Sequence, residues 1–150
     1  MDEMDLKILR HLQDEPTIAM AQLAEQVGLS HTPCWRRLKR MEKEGIIKGQ
    51  ALLLDERKLG LAVHVFADVR LKTHDEETLE AFERAAGDHP QIVECFSMSG
   101  ESDYLMRIMI GSIEDYERFL KKILLHLPGV AAVNSSFALQ KVKMTNKLPL

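Results

Sequence analysis

The sequence predicts an α+β chain in two parts, a trio of short helices followed by a β-α-β-β-α-β unit. Three observations predict it. Residues 23–45, LAEQVGLSHTPCWRRLKRMEKEG, read as a helix, a tight turn at Gly28 and a second helix with an apolar stripe opposite a cationic one. Beyond residue 60, runs rich in β-branched residues alternate with two amphipathic helical stretches. Those stretches repeat one another: Phe82 leads to His89-Pro90-Gln91-Ile92 and a strand, and Phe119 leads to Leu127-Pro128-Gly129-Val130 and a strand. Two such units make a ferredoxin-like arrangement.

The elements follow in order. Asp5 through Leu12 places Ile8, Leu9 and Leu12 on one side of a first helix, ended by Glu15-Pro16. A second helix covers about Met20 to Val27. Gly28 permits a left-handed turn, Ser30 is placed to cap, and Pro33 sits in the first turn of a third helix, where a missing N–H costs nothing. Gly45 stops that helix. Ile46 to Leu53 reads as a hairpin or wing turning at Lys48-Gly49, completing a winged helix-turn-helix. The domains expected are residues 1–54, a linker at 55–60 and a second domain at 61–150. In the latter, strands are expected at 62–72, 92–98, 103–110 and 130–142, with helices over Asp75–Ala86 and from Ser112. Leu79, Phe82 and Ala86 point inward on the first of these helices, and Tyr116, Phe119, Ile123 and Leu127 form the stripe of the other. Ser112 with Asp115 resembles a capping box. Helices on one face leave the other sheet face to be covered. Val63, Val65, Val69, Ile108 and Ile110 are expected there, and a homodimer is the simplest cover.

Composition excludes several classes. At 150 residues, 45% hydrophobic and 29% charged, the chain is long enough and apolar enough for packed cores. It has no run of membrane-spanning length, and its acidic amphipathic start is not a secretory signal, so no membrane partner and a cytoplasmic site of action are expected. Cys34 and Cys95 lie far apart, so no disulfide is expected. The net charge of −3 hides a local excess: residues 30–50 carry six bases against two acids. The acidic remainder helps orient the basic face. Scattered Ser, His and Asp, with no phosphate-cradling glycine loop, give no catalytic constellation and no enzyme. His31-x-x-Cys34 has no second ligand pair, so neither a metal nor another cofactor is expected.

On the third helix Cys34, Leu38 and Met41 face a core. Arg36, Lys39, Arg40 and Lys43 lie opposite, with Thr32 among them. A charge run is usually a solvated face. The turn before this one, the wing after it and the sparse compensation by Glu42 and Glu44 point instead to double-stranded DNA. The candidate contacts are Ser30, His31, Thr32 and Arg36 for base edges and Lys39, Arg40 and Lys43 for phosphates, with Arg37 at the stripe's edge. Trp35 flanks the apolar stripe and is read as packing.

The chain as a whole resembles the Lrp/AsnC, or feast/famine, family of transcriptional regulators. The resemblance rests on Asp5 with Ile8-Leu9 and Leu12, on Leu23-Ala24, on Val27-Gly28-Leu29-Ser30, and on Thr32-Pro33-Cys34-Trp35-Arg36-Arg37-Leu38 followed by Glu44-Gly45-Ile46-Ile47. It continues through Lys58-Leu59-Gly60, Gly100 with Asp103-Tyr104, Leu127-Pro128-Gly129-Val130 and Lys143. It implies an N-terminal winged helix-turn-helix, an effector-binding βαββαβ domain, dimers assembling into tetramers or octamers, and an amino acid as effector. It also implies that the loop Gly100-Glu101-Ser102-Asp103-Tyr104 lies beside the effector pocket. Its N–H groups would hold a carboxylate, and Asp103 or Glu101 would meet an ammonium. A plain strand-to-strand turn explains the same residues. Asn134, Ser135 and Ser136 fit either that pocket or an exposed strand face. The expected function is a sequence-specific DNA-binding regulator responding to such an effector. The alternative is a DNA-organising protein that needs no ligand.

Overall fold

The computed structural model describes residues 1–150. They form two compact units, residues 1–53 with 143–150, and residues 54–142. No helix is long and apolar enough to cross a membrane.

The first unit contains α1 (Glu3–Asp14), α2 (Met20–Val27) and α3 (His31–Lys43). α1 starts with a reciprocal cap: Asp2 accepts from the Asp5 N–H, and Asp5 accepts from the Asp2 N–H, each at 2.9 Å. Ile8, Leu23, Ala24, Val27, Cys34 and Met41 close the core, with Leu9, Leu12 and Ile47 packed against it. α2 ends at Gly28, whose φ of 78° lets its N–H and that of Leu29 fold back onto Glu25 and Ala24 carbonyls. Ser30 caps α3 through its backbone alone, so its hydroxyl is not spent on the helix as expected.

The hairpin expected over Ile46–Leu53 does not form. Only Ile47 turns toward the core, Leu52 and Leu53 are exposed, and no strand ladder is present. A two-stranded ribbon without an apolar face to bury has little to hold it. Instead Gln50 donates to the Pro16 carbonyl, 2.8 Å away. The last eight residues run along α1. The Gln13 amide both accepts from Leu148 N–H and donates to its carbonyl, and Lys147 pairs with Asp14.

In the second unit, residues 55–61 are a capped turn rather than a bare linker. Asp55 accepts from the N–H groups of Arg57 and Lys58, and Leu61 N–H donates to Glu56 O. Glu56 pairs with Lys141 and lies 3.7 Å from His64. Then come β1 (Val63–Leu71), α4 (Glu76–Gly87), β2 (Ile92–Ser97), β3 (Tyr104–Ile110), α5 (Ile113–Lys122), a 3-10 turn at Leu124–His126, and β4 (Val130–Phe137). Asp75 and Ser112 cap α4 and α5. The antiparallel sheet has the order β2-β3-β1-β4.

Val65, Ala67, Val69 and Leu71 of β1 and Tyr104, Met106, Ile108 and Ile110 of β3 pack with Phe82 and Phe119 of the helices. This corrects the expectation that Val63, Val65, Val69, Ile108 and Ile110 lie on the uncovered face. Alternation fixes which residues share a face but not which face the helices take. The uncovered face instead carries His64, Phe66, Asp68 and Arg70 of β1, Leu105, Arg107 and Met109 of β3, and Phe96 of β2. β4 stops at Phe137, short of the expected 142; past it, Ala138 N–H still donates to His64 O.

Candidate nucleic-acid interface and effector loop

α3 turns Cys34 and Met41 into the core and leaves His31, Thr32, Arg36, Lys39, Arg40 and Lys43 exposed. Burial pushes the Cys34 thiol above its usual range, as befits a core residue. Trp35 is 45% exposed, so its expected packing role is not what the fold gives it.

The cations divide into two sets. Arg37 donates to both Asp2 oxygens, at 2.9 and 2.7 Å, and to Asp5 at 2.8 Å. Arg40 donates to the other Asp5 oxygen at 2.5 Å. The Asp5 side chain is only 1% exposed. Burial raises its carboxyl, but the Asp2 N–H and the two guanidinium groups outweigh that and bring it down to about 2. Lys39 pairs with Glu42 at 2.6 Å. Arg36 and Lys43 have no carboxylate partner. With Thr32 they form a line along the exposed face, all within about 40° on a helical wheel. Asp5 as organiser of the arginines escaped the sequence reading. Its signal was an acid at the third helical position behind Asp2.

The loop between β2 and β3 closes with Met98 N–H on Asp103 O and Asp103 N–H on Val69 O, both 2.9 Å. The Asp103 carboxylate is engaged at both oxygens, by Leu71 N–H and by His74 Nε2, each at 2.7 Å. The Leu71 N–H first, and His74 after the opposing effect of burial, hold that carboxyl below its usual range. Ser102 donates to Asp68 at 3.1 Å, and Glu101 lies 3.9 Å from Arg70. Asn134 pairs in register with Asp68, and Ser136 with Phe66, so both belong to the uncovered face.

The expected effector residues are therefore divided. Ser102 and Asn134 lie beside Asp68, and Glu101 lies beside Arg70. Tyr104 is turned to the helices, stacked at 4.5 Å on Phe82, with its hydroxyl donating to Glu83. Burial and then Glu83 push its phenol above the usual range. Ser135 shares a 2.5 Å hydrogen bond with Tyr116 on the helix side. Asp68, Arg70 and His74 were not singled out from the sequence. The period-two spacing of Asp68 and Arg70 on β1 was the available signal.

Residues 1–48 match the winged helix-turn-helix DNA-binding family, and residues 64–148 match the Lrp/AsnC ligand-binding domain. The chain is 38% identical over its full length to the DNA-binding transcriptional activator DecR of Escherichia coli K12, covering 99% of it. It is 41% identical over its full length to the Bkd operon transcriptional regulator of Pseudomonas aeruginosa, covering 98% of that protein. Among solved structures, an AsnC family transcriptional regulator from Agrobacterium tumefaciens superposes with a TM-score of 0.94 at 42% identity, covering 99% of this chain and 97% of that one. A Neisseria meningitidis transcriptional regulator in complex with L-Met also reaches 0.94, at 34% identity, over 99% and 96% of the two chains. A basic helix-turn-helix joined to this ligand-binding domain, with relatives of the same design end to end, places the chain in the Lrp/AsnC family of DNA-binding transcriptional regulators.

Proposed function

We propose that this regulator reads its operator with α3, using Thr32 and Arg36 for base edges and Lys43 for phosphate. Ser30, His31 and Lys39 flank them, while Arg37 and Arg40 chiefly brace the helix. The carrying observation is that Arg36 and Lys43 have no carboxylate partner on an exposed face where the other cations of the helix are paired. An unpaired guanidinium is available to a guanine edge, and an unpaired ammonium to a phosphate. Two copies present two such helices, so the operator is an imperfect palindrome.

The effector is a free amino acid, held where the Gly100–Ser102 loop meets Asp68, Arg70 and Asn134. Support comes from the ligand-binding domain match and from the relative named as an L-Met complex. The opposed charges of Asp68 and Arg70 suit an ammonium and a carboxylate. A dimer forms through the uncovered sheet face and assembles further to tetramers or octamers in the cytoplasm, and the effector shifts that assembly. Operator titration with a charge-reversed Arg36/Lys43 variant tests the DNA reading, since unchanged affinity contradicts it. A thermal-shift screen of the twenty amino acids tests the sensing reading, because a ligand selective for the native state raises apparent stability. No shift at millimolar concentration favours the ligand-independent DNA-organising alternative.

A further inference from the structure

The first unit holds a single aromatic residue, Trp35, and keeps it out of its core. Ile8, Leu23, Val27, Cys34 and Met41 fill that core with aliphatic and sulfur-bearing side chains. Cys34 is wholly buried, while Trp35, one residue on, is 45% exposed. An indole left half in water forgoes much of the stabilisation that its burial would bring. No hydrogen bond or ring contact within the chain holds it.

Its place on α3 sets its surroundings. Trp35 lies in the second turn, one turn after His31 and one turn before Lys39, and both of these are exposed. On a helical wheel it stands about 60° from Thr32, on the side away from the Arg40 that Asp5 engages. The exposed face of α3 therefore carries an apolar edge beside a cationic centre. The buried core of a protein–protein contact sheds lysine, whereas here Lys39 flanks the ring. An apolar ring among cations matches a DNA duplex instead, whose major groove sets thymine methyl groups between two rows of phosphates.

We propose that Trp35 reads thymine: its indole packs on the C5-methyl group of one thymine in the major groove of each half-site. The proposal rests on the reading of α3 as the helix that reads the operator. Thymine alone among the four bases carries that methyl group, so the contact selects sequence without a hydrogen bond. It adds an apolar element to the polar readout by Thr32 and Arg36.

The probe is a duplex selected by the full chain from a random-sequence pool, with each thymine replaced in turn by deoxyuridine, which lacks only the methyl group. Replacement at one position per half-site is expected to weaken wild-type binding about fourfold for each methyl lost, the worth of one buried methyl group. Trp35→Ala binds the thymine duplex more weakly and no longer distinguishes it from the uracil duplex, and Trp35→Phe keeps part of the distinction. Trp35 is the chain's one tryptophan, so its emission reports the ring alone and is expected to change on saturation with the duplex. If Arg36→Ala binds the selected duplex as well as wild type, the reading of α3 fails and the proposal fails with it. Where Arg36 is needed, the thymine contact alone is overturned by any of three results. They are a wild type insensitive to uracil at every position, a Trp35→Ala variant that keeps the full uracil effect, and unchanged emission on the saturated duplex. A Trp35→Ala variant that keeps the uracil effect and has a lower light-scattering mass assigns the ring to a second copy of the chain.

Discussion

Asp5 accepts from the Asp2 N–H, Arg37 and Arg40 while almost wholly buried, so one carboxylate fixes the start of α1 and the flank of α3 together. Removing it strands two guanidinium groups. Asp5→Ala is expected to cost about 2–3 kcal/mol, less than the about 3–5 kcal/mol of a fully buried broken pair because both arginines reach water. Chemical denaturation of the full chain measures it. The pH dependence follows from the same group. Its folded pKa of about 2 lies below the 3.8 of the free carboxyl, so its stabilisation is complete above that value. It fades as pH falls from about 4 toward 2, and in Asp5→Asn that portion of the acid sensitivity disappears. At the neighbouring residue Arg36→Ala weakens specific operator binding by about 1–3 kcal/mol with unfolding unchanged. Arg37→Ala does the reverse, losing stability more than base selectivity. Lys43→Ala lowers specific and non-specific affinity alike and flattens the salt slope by about one unit. Titrations at several salt concentrations separate these outcomes.

Among the elements, the helices were legible because caps, stops and stripes are local. Asp75, Ser112, Gly28 and Gly45 mark ends that the fold keeps. The strand pair read at Ile46 to Leu53 does not form, because those residues have the composition of strands but no surface to bury them against. The close approach of Gly129 to Thr78 also needed the fold. Gly129→Ala combines a φ of 72° with that overlap and is expected to cost about 2–4 kcal/mol. Thr78→Ala in the same background removes the overlap and recovers part of the loss, and a double-mutant cycle reads the coupling. For the effector loop the sequence placed the turn correctly, but only the register shows Tyr104 and Ser135 facing the helices and Asn134 facing Asp68.

For the molecule as a whole, the uncovered sheet face holds Phe66, Phe96, Leu105 and Met109 around the Arg107–Glu94 pair. Apolar area of that kind calls for a partner surface. Phe66→Asp is expected to shift the full chain toward monomer at micromolar concentration. Light scattering checks this, and an unchanged mass contradicts assembly through this face. The sequence by itself determined the two-part architecture, the basic helix, the repeat and the family, because each rests on short-range spacing or on patterns spread along the chain. Only the tertiary structure decided which arginines on α3 are occupied, which sheet face the helices cover and how near Gly129 comes to α4. Those outcomes depend on residues distant in sequence, Asp5 against Arg40 and Gly129 against Thr78, and no local pattern records which of them meet.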